Sequence, residues 1–373
     1  MEMEMETANE GEEERDWTCL PPEMLILIAK CLREISDFVG FRIVCHAWRS
    51  STSIADFPME FPWILDGPCN QPFHPGDPNS RFYSLLFNKT YTITAPTSLD
   101  KKTLSGPCSH GYMPTLLQGS FGFRPISLLN PLTNHEIPVP AYPYVYDCHW
   151  IGPRQNQIGE YVIVWYGQSH YHNPNPILFF CHPGQNNWHR LNLGSDYRDC
   201  RHFYLKGMLF SVQRGTGVTK VTSITDSATL AYVVPPVEGY SAEGSRQYIV
   251  EDSLGDILRI SRKYCSFPFN IRLDVYRLHV LNKNDSSPCW VKVSSIGNQA
   301  IFIDMDNAFV LRADELSDIK KNSIYLLMQI FLGLHSPPCY RADRIDIETG
   351  ASEYLPCPLE KPKSWFLPNL HHL

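Results

Sequence analysis

Several pairs of adjacent residues combine a nucleophile with histidine, the residue that most often serves as its base. A thiol or hydroxyl becomes a useful nucleophile when a base lies within hydrogen-bond reach. These pairs include Cys45-His46, Ser109-His110, Cys148-His149 and Cys181-His182. Adjacent residues on a strand point to opposite faces of the sheet, so such pairs do not face each other. We therefore expect no catalytic residues at these pairs.

Two histidines, His170 and His172, have a spacing that could supply half of a metal site, because residues i and i+2 of a strand share a face. The surrounding stretch, SHYHNPNP, is typical of an exposed loop instead. The chain has 12 cysteines at irregular spacings, with no C-x-x-C pair. We expect them to be reduced and to serve as small buried residues. The sequence thus predicts no metal and no cofactor.

Motifs of common enzyme families do not occur in the sequence. We find no G-x-S-x-G, no G-x-x-x-x-G-K-[ST] and no H-E-x-x-H. The stretch RGTGVTK, residues 214–220, has two glycines but lacks the third glycine and the βαβ context of a dinucleotide site. We interpret it as a hairpin turn. These observations favour a binding protein over an enzyme.

The net charge of −7 comes from the N-terminal tail. Residues 1–16 contain seven Glu, Asp16 and one base, Arg15. Removing these from the 32 basic and 39 acidic residues of the chain leaves 31 of each. Such a run of like charges predicts a disordered acidic tail over residues 1–16. The sequence has no basic cluster for nucleic acid, no secretory signal and no long apolar run for a membrane span, so we expect a cytoplasmic and/or nuclear protein.

Behind this tail, the stretch LPPEMLILIAKCLREISDFVGFRIVCHAWRSS, residues 20–51, has helical periodicity. Pro21 and Pro22 suit the first turn of a helix, where a missing N–H costs nothing. Ser36 is the predicted N-cap of a second helix. Apolar residues recur at helical spacing in two stripes, which consist of Leu25, Ile28 and Leu32 in the first helix and of Phe38, Phe41 and Cys45 in the second. Trp48 supplies bulk to close a small core.

Three helices of this size bury too little surface to be stable alone. An apolar face must therefore meet either the rest of the chain, as a helical cap, or a separate partner. Periodicity alone leaves both alternatives open.

The order of residue types in this segment closely resembles the F-box, the adaptor-binding module of cullin-RING ubiquitin ligases. The matching features are Leu20-Pro21, Asp37-Phe38, Phe41-Arg42-x-Val44-Cys45 and Trp48-Arg49-Ser50. The resemblance implies a three-helix module that docks on a Skp-type adaptor through Leu20, Pro21, Leu25, Ile28, Phe38 and Val44. The expected core residues are Leu32, Phe41, Cys45 and Trp48. Gly40 departs from the family pattern, where a helix former is common, and it should soften the second helix.

The rest of the chain alternates short apolar runs with turn clusters. QYIVEDSLGDILRISRK predicts two strands around a turn at 252–255, and RLDVYRLHVL and WVKVSSI add two more. Four antiparallel strands in about fifty residues is the size of a propeller blade. Similar hairpins are predicted at Lys206-Gly207 and at 304–307. About 290 residues at about 40–50 per blade would give six or seven blades, although a large sandwich or split barrel stays open.

Scattered stretches of this region are similar to the C-terminal domain that follows the F-box in a large plant family. They are SLLNPLTNHEIPVP, WVKVSSIGNQAIFID, KKNSIYLL and DRIDIETGASEYLP. The resemblance implies a β-propeller-like substrate receptor of the kelch-like F-box type. We therefore expect an α+β multidomain protein. Its predicted organisation is an acidic tail over 1–16, an F-box over 17–56, a linker over 57–80 and an all-β, propeller-like domain over 81–373.

The function implied by both resemblances is that of a non-catalytic substrate-recognition subunit of an SCF-type ubiquitin ligase. Its expected partners are a Skp-type adaptor, a cullin bound through that adaptor, and a target protein of unknown identity, without nucleic acid or membrane. Two alternatives stay open. One is an F-box protein that binds and inhibits a partner outside the ligase, and the other is a β-propeller of different function with a helical cap.

Overall fold

The computed structural model describes residues 17–57, 61–66, 79–94, 102–104, 110–119, 122–140, 150–155, 160–168, 175–224, 228–242, 245–264, 271–280, 287–305, 307–314, 316, 318–330 and 339–370. The chain divides into two units, Met1–Glu60 and Phe61–Leu373. The first is helical and the second is built from strands. The predicted disordered tail, residues 1–16, lies outside the described residues, so its conformation stays a prediction.

The helical unit contains three short α-helices, α1 (Pro22–Cys31), α2 (Ile35–Ile43) and α3 (His46–Ser51). Pro22 occupies the first turn of α1, as the sequence predicts. Helix α2 begins two residues earlier than expected. Glu34 rather than Ser36 is at the N-cap position, and the Ser36 hydroxyl donates to the Glu34 carboxylate at 2.7 Å. Ser36 lies within the first turn of α2 and not at the N-cap. The free N–H groups at the start of this helix therefore have no side-chain cap.

The core of this unit is aromatic. The Phe38 ring packs against Phe57 with centroids 5.0 Å apart, and the Phe41 ring packs against Trp48 at 4.5 Å. The Trp48 Nε1 donates to the Trp17 carbonyl at 3.0 Å, which ties the start of the unit to its last helix. Because Phe57 contributes to this core, the helical unit extends into the predicted linker.

The second unit is an all-β propeller of six sheets, or blades, in the described residues. The strands of the first three blades, in chain order, are β1 (Trp63–Asp66), β2 (Asn79–Ser84), β3 (Lys89–Thr94), β4 (Lys102–Leu104), β5 (Met113–Gly119), β6 (Gly122–Leu129), β7 (Glu136–Pro138), β8 (Trp150–Gln155), β9 (Tyr161–Gln168), β10 (Pro176–Cys181) and β11 (His189–Asn192). In these three blades neighbouring strands pair antiparallel, an arrangement that a hairpin or short loop can connect.

The next three blades consist of β12 (Cys200–Leu205), β13 (Met208–Gln213), β14 (Thr219–Ile224), β15 (Ala228–Val234), β16 (Ser245–Glu251), β17 (Ile257–Tyr264), β18 (Ile271–His279), β19 (Cys289–Val293), β20 (Gln299–Ile303), β21 (Ala308–Arg312), β22 (Ser323–Ile330), β23 (Cys339–Asp346) and β24 (Ser352–Leu355). The last strand, β25 (Pro362–Phe366), belongs to the first blade. Blade five, β16–β19, is the four-strand unit that the sequence predicts. Turns also form where expected, at Lys206-Gly207, at Arg214–Thr216 and at Asp304–Asn307.

The ring closes through the first blade, which combines strands from the two ends of the unit. Its strand order is β25-β1-β2-β3, so the C-terminal strand pairs with the N-terminal one. Blade six differs from the others because it has five strands and a parallel pair, β20 with β22. Hydrophobic clusters lie between neighbouring blades. One joins blade six to blade one through Phe302 and Trp365, and another joins blade five to blade six through Tyr248 and Ile301.

The predicted linker over 57–80 needs correction. Trp63–Asp66 is strand β1, which is hydrogen-bonded on both sides by β2 and β25. Trp63 and Ile64 are buried, so burial of apolar surface outweighs the turn-forming composition around them. Residues 79 and 80 already belong to β2, and residues 67–78 lie outside the described part of the chain.

Candidate functional site

Helix α1 carries two apolar stripes on different faces. Leu25 and Ala29, at i and i+4, are fully buried and form the inner stripe. Met24, Leu27 and Ile28, at i, i+3 and i+4, form an outer stripe, in which the Leu27 side chain is 57% exposed. A surface helix normally places polar residues on the face that points away from its core. The outer stripe therefore indicates a surface that a partner covers.

Helix α2 repeats this arrangement. Phe38 and Phe41 point into the core, while Val39 and Ile43, at i and i+4, lie on the surface. Ile43 is 74% exposed, and Val44, which follows it, is also exposed. Transfer of apolar surface out of water is favourable by about 25 cal/mol per Å². The term outer apolar surface refers below to the exposed and partly exposed apolar residues of α1, of α2 and of the α2 C-cap, namely Met24, Leu27, Ile28, Val39, Ile43 and Val44.

The predicted adaptor residues separate into two groups in the structure. Leu20 and Ile28 are partly exposed, and Pro21 and Val44 are exposed, so these four remain candidates for adaptor contact. Leu25 is 0% exposed and Phe38 is 1% exposed in the free chain. A partner cannot reach these two side chains without opening the core of the helical unit. We therefore correct their assignment, and Leu25 and Phe38 are core residues.

Two of the predicted core residues pack together, since Phe41 is buried and its ring contacts Trp48. Leu32, the C-cap of α1, and Cys45, the N-cap of α3, are partly buried. Arg42 reinforces this arrangement, because its guanidinium donates to the Thr52 carbonyl and lies 5.8 Å from the Phe38 ring centroid. The core thus fixes the relative positions of the helices that carry the outer apolar surface.

Sequence reasoning missed Met24, Leu27 and Ile43, which are among the most exposed apolar residues of the helical unit. Their signal was present, because Met24 and Leu27 recur at i and i+3 and Ile43 follows Val39 at i+4. The signal is ambiguous in a helix with apolar residues on two faces, since periodicity alone does not tell which face meets the core.

The residues considered for chemistry do not form a site in the described part of the chain. Cys181 ends β10 and is buried, and its burial raises the pKa of the thiol to about 12, so it stays protonated at neutral pH. His182 follows it outside the strand. Cys45 is the N-cap of α3, and His46, its neighbour, is exposed. Ser109, Cys148, His149, His170 and His172 lie outside the described residues.

The described residues contain neither a metal-ligand cluster nor a helix that could span a membrane. No group of three or more His, Cys, Asp or Glu residues is placed to hold a metal ion there. Among the helices of the described segments, none has the length and apolar character to cross a membrane.

Comparison with protein families gives one match that covers most of the propeller. Residues 82–351 match the KIB1-4 beta-propeller family. The matched segment begins inside β2 and ends next to β24, so it includes strands of all six blades.

Curated relatives extend the similarity through the helical unit. Probable F-box protein At4g22060 of Arabidopsis thaliana is 21% identical over 417 residues, which cover 96% of this chain and 97% of that protein. Putative F-box protein At4g17565 of the same plant is 25% identical over 397 residues, which cover 94% of each. Among solved structures, a putative 6-phosphogluconolactonase from Bacteroides fragilis aligns with a TM-score of 0.31 and 10% identity, covering 82% of this chain and 97% of that one.

Proposed function

Since this chain belongs to the KIB1-4 beta-propeller family, we propose that it is the substrate-recognition subunit of an SCF-type cullin-RING ubiquitin ligase. In this proposal the helical unit binds a Skp-type adaptor, and the adaptor connects it to a cullin. The propeller binds the target protein. The outer apolar surface of α1 and α2 is the observation that carries the proposal, together with the F-box names of the relatives.

Burial of the outer apolar surface against an adaptor is favourable, because it removes apolar side chains from water. Leu27 and Ile43 are each more than half exposed, although α1 and α2 also bury Leu25, Ala29, Phe38 and Phe41. Exposed apolar residues that recur at helical spacing mark a binding site more often than a solvated helix face does. Anchors of this kind dominate the energetics of protein interfaces, while the contacts around them mainly exclude water.

The proposed mechanism requires no bond chemistry from this chain. A receptor that holds the target and the ligase together raises the effective concentration of the target's lysines near the ubiquitin-loaded enzyme. Rate enhancement then comes from proximity, and the propeller contributes affinity for the target alone. We accordingly propose that the chain is non-catalytic.

The test is a measurement of adaptor binding by the purified full-length chain. A double change to glutamine at Met24 and Leu27 removes exposed apolar surface without touching the core. We expect it to weaken adaptor binding by about tenfold or more, since hot-spot truncations cost 2 kcal/mol or more. The matched control changes Leu254 and Val280, which are exposed apolar residues of the propeller, to glutamine and should leave the affinity unchanged.

A parent chain that binds no Skp-type adaptor would remove the ligase assignment. If the adaptor binds but no cullin is recovered with it, or if bound targets persist as long with the chain as without it, the role outside the ligase is the correct one. Target lifetime in cells, with and without the double variant, distinguishes these outcomes.

A further inference from the structure

Four charged side chains of blade five come together on one face. Arg272 and Asp274 share a face of β18 because they are two residues apart. Lys263 of β17 lies directly opposite Arg272, and Lys292 of β19 lies opposite Tyr276, the next residue on the same face as Asp274. The antiparallel register therefore brings three cations around a single carboxylate. We call these four residues the Asp274 cluster.

Distances confirm that the three cations converge on this carboxylate. The Lys292 Nζ lies 2.7 Å from Asp274 Oδ1, the Arg272 Nε lies 3.4 Å from the same oxygen, and the Lys263 Nζ lies 3.9 Å from Oδ2. The Asp274 side chain is 5% exposed, whereas those of Arg272 and Lys292 are 64% and 54% exposed. The carboxylate is thus beneath the surface, and positive charge faces the solvent.

The ratio of three cations to one carboxylate differs from that of several other ion pairs in the described residues. Pairs such as Arg81 with Asp66, Lys206 with Glu251, and Arg344 with Glu353 join one cation to one carboxylate. At the Asp274 cluster one negative charge faces three positive ones. Glu238 adds a negative charge that acts on Tyr276 of this face, and Arg259 on the same face offsets it. Among the described residues around Asp274, a surplus of positive charge therefore remains.

We propose that the Asp274 cluster is a docking site for an acidic segment of a protein partner. The inference rests on the proposed function for one point, that this partner is the target protein of the ligase. Carboxylates of such a segment pair with the outward guanidinium of Arg272 and ammonium of Lys292, which Asp274 holds in place from below. Complementary charge of this kind speeds association and selects among partners.

A protein partner fits this cluster better than a nucleic acid. Nucleic-acid surfaces distribute many cations over a long stripe, so that several phosphates are neutralised together. Here the three cations lie within one blade, and residues 17–373 contain 31 basic and 31 acidic residues, so this part of the chain has no net charge to attract an extended polyanion. A short run of Glu and Asp residues matches the extent of the cluster.

The experiment measures binding of a short fluorescent Glu/Asp-rich peptide to the full chain, without any adaptor. The comparison peptide has Gln and Asn at the same positions. A double change, Arg272→Gln with Lys292→Gln, should weaken binding of the acidic peptide by about tenfold, as expected for two partly exposed ion pairs. Glutamine still donates a hydrogen bond to Asp274, so the blade keeps its fold, which an unchanged melting temperature verifies.

The matched control is Lys206→Gln with Arg312→Gln, which removes the same charge from two similarly exposed cations that pair with Glu251 and Asp314. It should leave the peptide affinity within about twofold of the parent. A second variant, Asp274→Asn, should change the peptide affinity in the opposite direction. It keeps the shape of the side chain and raises the positive charge, so it should tighten binding.

Three results would overturn the proposal. They are equal binding of the acidic and amide peptides, equal losses in the Arg272/Lys292 and control variants, and displacement of the peptide by a short DNA oligonucleotide as readily as by unlabelled peptide. Because no adaptor is present, a failure here leaves the proposed ligase function standing. Loss of adaptor binding with intact peptide binding would contradict the proposed ligase function and leave the docking site standing.

Discussion

The carboxylate of Asp304 accepts the backbone N–H of Trp365 at 3.1 Å, and the Trp365 indole donates to the neighbouring Ile303 carbonyl at 3.0 Å. The first residue lies in the turn after β20 of blade six, and the second lies on β25, the strand that closes the ring. Strand β25 is at the edge of its sheet, where a backbone N–H has no strand partner. Asp304 supplies the missing acceptor from the adjacent blade.

Replacement of Asp304 by alanine should therefore destabilise the propeller. The side chain also accepts the Ser364 hydroxyl at 2.6 Å and the Asn307 N–H at 2.7 Å, so three buried donors lose their acceptor. Each unsatisfied buried group costs about 1–3 kcal/mol, and partial relaxation suggests a total of about 3 kcal/mol. Denaturant unfolding measures this loss. Asp314→Ala, which removes an exposed carboxylate from a pair with Arg312, should change stability by less than about 1 kcal/mol.

The sequence predicts blade five strand by strand, because its apolar residues alternate and the turn at Asp252–Gly255 is rich in turn formers. It does not predict β1. The run WILD is short, and its partner β25 lies about three hundred residues away, so local composition carries no signal of the pairing. Pairing over such a distance depends on the closed ring, which only the tertiary structure provides.

Prediction of the candidate site was partial for a similar reason. The types and order of residues 20–51 indicate an F-box, but they do not tell which apolar side chains face outward. Leu25 and Leu27 are both leucines in one helix, and the structure buries the first and exposes the second. Packing among α1, α2 and α3 makes this choice.

Gly40 offers a test of helix propensity inside the helical unit. It lies within α2, and a Cβ added there would meet nothing within 4 Å. Gly40→Ala should therefore stabilise the unit by about 0.5–1 kcal/mol, because alanine loses less backbone entropy in a helix. Resistance of the helical unit to proteolysis measures the gain.

The same substitution at Gly111 should have the opposite sign. Gly111 has φ +79°, and a Cβ there would lie 2.6 Å from the Asn369 Cβ. Both the backbone conformation and the contact disfavour alanine. Stabilisation of the protein by Gly111→Ala would contradict the packing between blade two and the C-terminal segment.

The rate at which a thiol reagent modifies each described cysteine should depend on the burial of that cysteine. Burial raises the pKa of Cys181 to about 12 and that of Cys200 to about 11, so both stay protonated near pH 8 and react slowly. Cys19, Cys31, Cys289 and Cys339 are exposed. Iodoacetamide labelling followed by peptide mass spectrometry should modify these four first, and Cys181 and Cys200 only after unfolding. Early labelling of Cys181 would contradict the packing of blade three.

Acid should weaken blade five through Asp274. Burial alone would raise the pKa of this carboxyl, but the hydrogen bond from Lys292 and the charges of Lys292, Arg272 and Lys263 outweigh it and lower the pKa. A folded-state pKa below the unfolded value of about 3.9 adds stability above that value, and this stability disappears as the pH falls through the folded pKa. Melting temperatures measured from about pH 6 to about pH 3 should fall less steeply for Asp274→Asn than for the parent. Equal slopes would mean that Asp274 does not contribute.

The two leucines of α1 provide the sharpest distinction between folding and binding. Leu25→Ala removes a side chain that is 0% exposed, so it should destabilise the helical unit by about 2–5 kcal/mol, the usual range for a buried leucine. Leu27→Ala removes one that is 57% exposed and should leave melting and protease resistance close to those of the parent. The two variants lose the same atoms, and the chain therefore supplies its own matched control.

In the adaptor-binding assay, Leu27→Ala should lower the affinity of a folded protein, whereas Leu25→Ala should lower it only in proportion to the unfolded fraction. If Leu27→Ala also melts the unit, its side chain is packed in solution and the outer apolar surface is not free. If it changes neither melting nor affinity, the adaptor binds elsewhere on the helical unit.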